Sequence, residues 1–159
     1  MTMATIQDLN NFNKNCGEIL RYSVSTENIL EHFLANYFTK IYSKEYFIFM
    51  DNILIKMNFQ DKRILFREIC KNEDLDYKKI VSAIEFIQIT RNKIAHWSTQ
   101  LDNGEFKLQE NGSPIKMKKT INPTNKLVQD ILEKRLFIID EIKKTEIELI
   151  KKKQSEHRI

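Results

Sequence analysis

The stretch DYKKIVSAIEFIQITRNKIAHW, residues 76–97, places isoleucines at Ile80, Ile84, Ile87 and Ile94. This three- and four-residue spacing is typical of an amphipathic helix with one buried face. At about 100° of rotation per residue, the four isoleucines share one arc of the helix surface. We therefore predict a helix from about residue 76 to residue 97 that packs centrally in a helical core.

Arg91 occupies the middle of this isoleucine arc, which Ala95 extends. A buried guanidinium without a partner has a large desolvation cost, so we expect Arg91 to face a carboxylate, a phosphate or a hydrated groove. An ordinary structural role is equally open. The arginine stem could pass the edge of the core to reach solvent, or the guanidinium could form a buried ion pair.

Asn92 and His96 are four residues apart and share another face of the same helix, with Glu85 and Gln88 nearby. Arg91 and His96 are five residues apart, which separates them by about 140° around the helix axis. They converge only if the long arginine wraps round the helix or if a second copy supplies the missing partner. This geometry predicts a symmetric homodimer with a polar cleft between two such helices. A lone helical histidine is more often a surface or capping side chain than a catalyst.

The same helical spacing recurs over most of the remaining chain. It predicts further helices at about residues 18–40, 45–57, 59–69 and 124–150. Few chain breakers, three glycines and two prolines, and many Ile, Leu, Lys and Glu residues also favour helix. We therefore predict an all-α fold, a single domain over residues 1–159 built as a bundle of about five helices. Residues 1–17 are expected to form an N-terminal extension, and residues 151–159 a frayed basic tail.

A segment of different composition, residues 99–123, precedes the last helix and holds most of the glycine and proline. In it, Phe106-Lys107-Leu108 and Ile115-Lys116-Met117 alternate apolar with polar side chains, and Asn111-Gly112 lies between them. Alternation flanking an Asn-Gly pair is typical of a β-hairpin. We predict a small hairpin or a long loop here.

The overall composition limits the function classes only loosely. The formal net charge of +4 permits nucleic-acid binding without arguing for it. Two cysteines without metal-binding spacing are interpreted as reduced apolar side chains. No carboxylate or His/Cys cluster indicates a metal site, and no motif indicates a cofactor. Without a signal peptide or a membrane-spanning run, we expect a cytoplasmic protein that does not contact membranes.

The hexapeptide RNKIAH, residues 91–96, matches R-N-x-x-A-H, a form of the R-x(4–6)-H motif of HEPN domains. The surroundings are similar as well, with the motif near the end of a late helix that is followed by a loop and one more long helix. The chain therefore resembles HEPN domains over about residues 18–150, although the residue-level match is confined to the motif. The resemblance implies a HEPN-like helical bundle and a metal-independent endoribonuclease that acts as a homodimer. Such proteins are found in toxin–antitoxin, abortive-infection and other defence systems.

The resemblance also implies roles for individual residues. His96 would be the acid/base group, Arg91 would bind the scissile phosphate, and Asn92 would orient the site. An imidazole, which titrates near pH 6.5, can take the proton of a ribose 2′-OH, and a guanidinium can stabilise charge on the phosphate. On this hypothesis Lys93 and a basic cluster in the segment of residues 99–123 are expected to contact the RNA backbone. That cluster consists of Lys116, Lys118 and Lys119.

The sequence departs from some members of this family at Ser98. Some HEPN toxins carry a tyrosine two residues after the histidine, which a partner nucleotidyltransferase modifies, so inactivation by that route is not expected here. An antitoxin or other protein partner is compatible with the resemblance, but the sequence does not identify one. Two alternatives stay open: a non-catalytic HEPN-type module that dimerises and binds a protein, nucleotide or nucleic acid, and a helical adaptor outside this family.

Overall fold

The computed structural model describes residues 4–111 and 120–156. Over these residues the chain forms five α-helices, one short 3₁₀ turn and three β-strands. In chain order they are α1 (Ile6–Phe38), α2 (Lys44–Asn52), the 3₁₀ turn (Leu54–Lys56), α3 (Phe59–Asn72), α4 (Lys78–His96), β1 (Ser98–Asp102), β2 (Glu105–Gln109), β3 (Thr120–Ile121) and α5 (Asn125–Glu156). The fold is therefore mostly helical with a small sheet, so the all-α prediction is confirmed in its coarse form only.

Helix α1 begins at Ile6, about twelve residues before its predicted start at residue 18, so most of the expected N-terminal extension, residues 1–17, belongs to this helix. A capping box explains the early start. The Asp8 N–H donates to Thr5 Oγ1 at 3.2 Å, and the Thr5 N–H donates to Asp8 Oδ2 at 2.8 Å. Farther along this segment Phe12 is buried, and Asn15 Nδ2 donates to the Pro123 carbonyl at 2.8 Å. The start of α1 is thereby fixed against the start of α5.

Helix α4 packs between α1 and α5, with α3 against it as well. Its isoleucine stripe is buried, as predicted: Ile84 and Ile87 are fully inaccessible, and Ile80 and Ile94 are nearly so. The stripe is narrower at its end than predicted, because Ala95 is exposed and Arg91 is only half-buried. The buried face of α4 therefore packs against the bundle as far as Ile94, but the Arg91 side chain is not enclosed.

A three-stranded antiparallel sheet, in the order β1-β2-β3, stands between α4 and α5 in the chain. The predicted strand at Phe106-Lys107-Leu108 is part of β2, but its hairpin partner is β1, with Leu101 opposite Phe106. The turn is Asn103-Gly104, whose φ angles of 52° and 82° suit the tight two-residue turns of hairpins. Of the Asn111-Gly112 pair that marks the predicted hairpin or loop, only Asn111 lies within the described residues. The predicted second strand, residues 115–117, lies outside the described residues.

Helix α5 continues to Glu156, so residues 151–156 are helical and the prediction of a frayed tail from residue 151 is wrong there. The Lys152 ammonium donates to the backbone carbonyl of Glu73 at the end of α3, which holds this part of the helix against the bundle. Within residues 4–111 and 120–156, no helix combines the length and the apolar character required to cross a membrane.

Both cysteines are unpaired thiols. Burial raises the pKa of Cys70 to about 12 and that of Cys16 to about 11, so both thiols are protonated at neutral pH. A protonated, enclosed thiol is a poor nucleophile, which agrees with their interpretation as apolar packing groups.

Candidate functional site

The motif residues lie on the last two turns of α4. The helix continues without a break to His96, and the Trp97 N–H closes it by donating to the Lys93 carbonyl at 2.9 Å. Because the helix is regular here, Arg91 and His96 keep the separation of about 140° that their spacing predicts. Asn92, one turn before His96, lies between them on the helix surface.

Arg91 reaches round the helix towards Asn92. Its Nη1 donates a hydrogen bond to Asn92 Oδ1 at 3.1 Å. Among residues 4–111 and 120–156, no carboxylate lies within ion-pair distance of this guanidinium, and nearby Glu85 is paired with Arg63. From the sequence, Arg91 is expected to face a carboxylate, a phosphate or a hydrated groove. In the described part of the chain it has a neutral amide partner and partial contact with solvent.

His96 is exposed at the C-terminal end of α4. No side chain in the described ranges forms a hydrogen bond with its imidazole, whereas its backbone carbonyl accepts one from Asn111 Nδ2 at 2.7 Å. The ring is therefore accessible to a ligand, while the backbone that carries it is held by the end of the hairpin. Within one chain, no hydrogen bond joins Arg91 to His96.

The small sheet continues directly from this helix end. Strand β1 starts at Ser98, two residues after His96, and Ser98 is opposite Gln109 in the hairpin. The pairing returns the chain to the helix end, so that Asn111 can reach the His96 carbonyl. Leu108 is buried, and Phe106 packs against Phe12 of α1 with ring centroids 5.9 Å apart, which anchors the sheet to the helices.

The expected RNA-contacting lysines divide into two groups. Lys93 is a half-buried residue of the motif itself, with its Nζ 5.4 Å from the centroid of the Trp97 ring. This distance is within the range of a cation–π contact. The other three residues, Lys116, Lys118 and Lys119, lie outside the described residues, and the prediction for them stays a prediction.

A second group of lysines, between α4 and α5, was not predicted from the sequence. Lys134 of α5 places its Nζ 4.9 Å from the centroid of the Phe86 ring on α4, beside a groove that Lys78 and Lys79 also line. The signal within the sequence was the seven-residue spacing of Lys79, Phe86 and Lys93, which puts all three on one side of a helix. The contact of Lys134 with Phe86 depends on how α5 packs against α4, so no sequence pattern near Lys134 predicts it.

The described ranges contain no group of three or more His, Cys, Asp or Glu side chains arranged to hold a metal ion. Arg91, Asn92 and His96 instead form a polar surface with one cation, one amide and one imidazole. Comparison with protein-family models, with curated proteins and with solved structures gives no match to this chain.

Proposed function

We propose that this protein is a metal-independent endoribonuclease of the HEPN type. One observation carries the proposal: an accessible imidazole, His96, lies one helical turn from an amide that holds a guanidinium without a carboxylate partner in the described residues. A cation that no acidic side chain neutralises is free to bind a phosphate. The RNKIAH motif supplies the family analogy, and the local geometry supplies a chemical reason for it.

In the proposed reaction, the His96 imidazole takes the proton from a ribose 2′-OH, and the 2′-oxygen attacks the adjacent phosphorus. The bond from phosphorus to the 5′-oxygen breaks, and solvent protonates the leaving oxygen. The products are a 2′,3′-cyclic phosphate and a 5′-hydroxyl. Arg91 stabilises the negative charge that gathers on the phosphate oxygens, and Asn92 orients Arg91 through its amide oxygen.

The active form is proposed to be a homodimer whose two-fold axis passes close to Arg91 and His96. A separation of about 140° on one rigid helix leaves Arg91 and His96 on different sides, and a second copy can bring the missing group opposite each. Ile89, two turns before His96 and 47% exposed, supplies an apolar contact on the same helix face. The biological role proposed with this activity is that of a toxin or defence effector in the cytoplasm, opposed by an antitoxin-like protein.

The test is incubation of the purified protein with mixed RNA in EDTA. We expect cleavage that leaves 2′,3′-cyclic phosphate ends, and we expect His96→Ala to lower it by about 10²–10⁴-fold without loss of fold, because the ring is exposed. His32→Ala is the matched control. His32 is exposed on α1 and contacts Tyr46 of α2, not the motif, so this variant should retain cleavage. Cleavage that needs magnesium, or that His96→Ala leaves unchanged, would refute the mechanism.

One observation favours a second candidate, a non-catalytic HEPN-type dimerising module. In the described part of the chain, no group hydrogen-bonds the His96 imidazole to fix its tautomer, whereas catalytic histidines usually have such an orienting partner. On this alternative, Arg91 and His96 would bind a protein, a nucleotide or a nucleic acid without reaction. A folded dimer that cleaves no RNA, while still binding a ligand through Arg91, would support it.

A further inference from the structure

An open groove of about 520 Å³ runs between the first half of α4 and the first half of α5. Three lysines line it, Lys78, Lys79 and Lys134, against one carboxylate, Glu133. Within the described residues, none of the three lysines has an acidic side chain at ion-pair distance, although other lysines do, such as Lys62 with Glu27. The groove is therefore positively charged and suited to anions.

From this groove a line of cations and aromatic rings leads along α4 to the motif. Lys79, Phe86 and Lys93 are spaced by seven residues on an unbroken helix, so each step turns by only about 20°. The Phe86 ring is covered by Lys134, and the Trp97 ring by Lys93. We name these five residues the α4 stripe. It extends over about 25 Å from Lys79 to the end of α4, at about 1.5 Å per residue.

We propose that the α4 stripe binds a single strand of RNA and leads it to His96. The lysines would contact phosphates along the strand, and Trp97, which is partly exposed at the end of the stripe, would stack on a base. Alternating cations and aromatic rings is the arrangement by which proteins bind unpaired strands, since every unpaired base offers a ring face. The identity of the strand as a substrate rests on the proposed function, but the binding itself does not.

A single strand fits this stripe better than a duplex. In an A-form duplex the bases are stacked on one another, and proteins contact mainly the phosphates and the 2′-hydroxyls. The Trp97 ring would have no base to receive in that case. The 2′-OH that the proposed reaction requires is also easier to align for attack in an unpaired, flexible strand.

The binding test uses Trp97, the only tryptophan of the chain, as its reporter. The probe is an RNA of about 12 nucleotides with 2′-O-methyl groups, which cannot be cleaved by 2′-oxygen attack. We expect it to quench the fluorescence of Trp97, with an affinity that falls steeply with salt. Lys79→Gln with Lys134→Gln should weaken binding and reduce the slope of log affinity against log salt by about 2, one for each lost phosphate contact.

The matched control removes the same charge elsewhere. Lys40→Gln with Lys44→Gln changes two exposed lysines near the α1–α2 connection and should leave affinity and salt slope close to those of the wild type. Equal weakening by both double variants, or equal quenching by a duplex of the same sequence, would overturn the proposal. Quenching without cleavage of unmodified RNA would refute the ribonuclease alone, and cleavage without quenching would refute the stripe alone.

Discussion

Arg91 and Asn92 are neighbours in sequence, yet the arginine turns back round the helix so that its Nη1 lies 3.1 Å from Asn92 Oδ1. Adjacent residues on a helix project about 100° apart, so only a long side chain can make this contact. Asn92 is also one turn before His96. The hydrogen bond thus moves the guanidinium from the isoleucine arc towards the side of the helix that carries the histidine.

The first prediction concerns this hydrogen bond. Asn92→Ala should release Arg91 and lower the cleavage rate by about 10- to 100-fold, since a hydrogen bond to a charged group contributes about 1.5–3 kcal/mol. Asn92→Asp should retain the contact but neutralise the guanidinium, which should raise KM more than it lowers kcat. Steady-state kinetics on a short RNA distinguish the two effects. Identical kinetics for both variants would show that Asn92 does not position Arg91.

A second prediction addresses the composite site. If Arg91 of one chain acts with His96 of the other, Arg91→Ala and His96→Ala are each inactive, but an equal mixture regains about a quarter of the wild-type activity. Half of the dimers are then mixed, and each has one of its two sites intact. The measurement is cleavage after the two variants are mixed and allowed to exchange. A mixture that stays inactive although exchange is demonstrated would place both residues of a site in one chain.

The same dimer can be tested without activity. Ile89→Asp puts a carboxylate on the helix face that carries His96 and should lower the fraction of dimer, because an exposed isoleucine at an interface loses its apolar contact. Light scattering across micromolar concentrations measures this fraction. A wild-type protein that is monomeric at all of these concentrations would contradict the dimer.

A third prediction tests the buried isoleucines of α4. Ile87→Asp should unfold the chain, since an unpaired buried carboxylate costs several kcal/mol against a total stability of about 5–15 kcal/mol. Ile147→Asp, at a position that is 51% exposed on α5, is the control and should leave the helical content unchanged. Far-UV circular dichroism during thermal unfolding compares them. Equal melting temperatures would show that the isoleucine stripe does not stabilise the fold.

A fourth prediction concerns Lys62, a buried cation on α3. Its ammonium lies 2.6 Å from Glu27 Oε1 and 2.5 Å from Glu31 Oε1 of α1. Burial lowers the pKa of Lys62, but the hydrogen bonds and the charge attraction of Glu27 and Glu31 outweigh it, so the pKa is raised above its ordinary value. The stabilisation is complete below the ordinary lysine pKa of about 10.4 and is lost as the pH rises through the folded value.

Lys62→Ala should therefore lower the free energy of unfolding at neutral pH by about 3–5 kcal/mol, because it leaves two carboxylates without their cation. The difference from the wild type should narrow only above a pH of about 10.4. Lys71→Ala, which removes an exposed ion pair to Glu68, should cost about 0–1 kcal/mol. Urea titrations across pH measure both, and a pH-independent Lys62 effect would rule out the ion pairs as its cause.

The helices whose apolar residues follow a regular spacing were predictable, and those held by polar contacts were less so. The isoleucine stripe placed α4 within two residues of its observed ends. The start of α1 was missed because its first turns are rich in Asn and Gln. The Thr5–Asp8 pair was a readable capping signal there. Strand β1 was missed because most of its side chains are exposed, without the alternation of buried and exposed positions that marks a strand. Only its pairing with β2 defines it.

For the candidate site, the sequence identified the residues but not their surroundings. It placed Arg91 within a buried arc, whereas the helix end is open enough that Arg91 is only half-buried. Local spacing cannot show where the neighbouring helices stop, and that decides the exposure of Arg91 and Ala95. Asn111 was expected in a hairpin or a long loop, and its contact with the His96 carbonyl was not predicted. That contact depends on the register of β1 with β2, which the sequence did not specify.

The contact between Asn111 and the His96 carbonyl also has a practical consequence for engineering. Asn111 is fastened to the helix end, and Thr120 is fastened to Gln109 in the strand ladder, so the chain is anchored on both sides of residues 112–119. Lengthening a chain between two anchored points costs only about 0.6 kcal/mol for each doubling of its length. A reporter peptide inserted there would leave α4 in place and carry its label to the immediate neighbourhood of the motif.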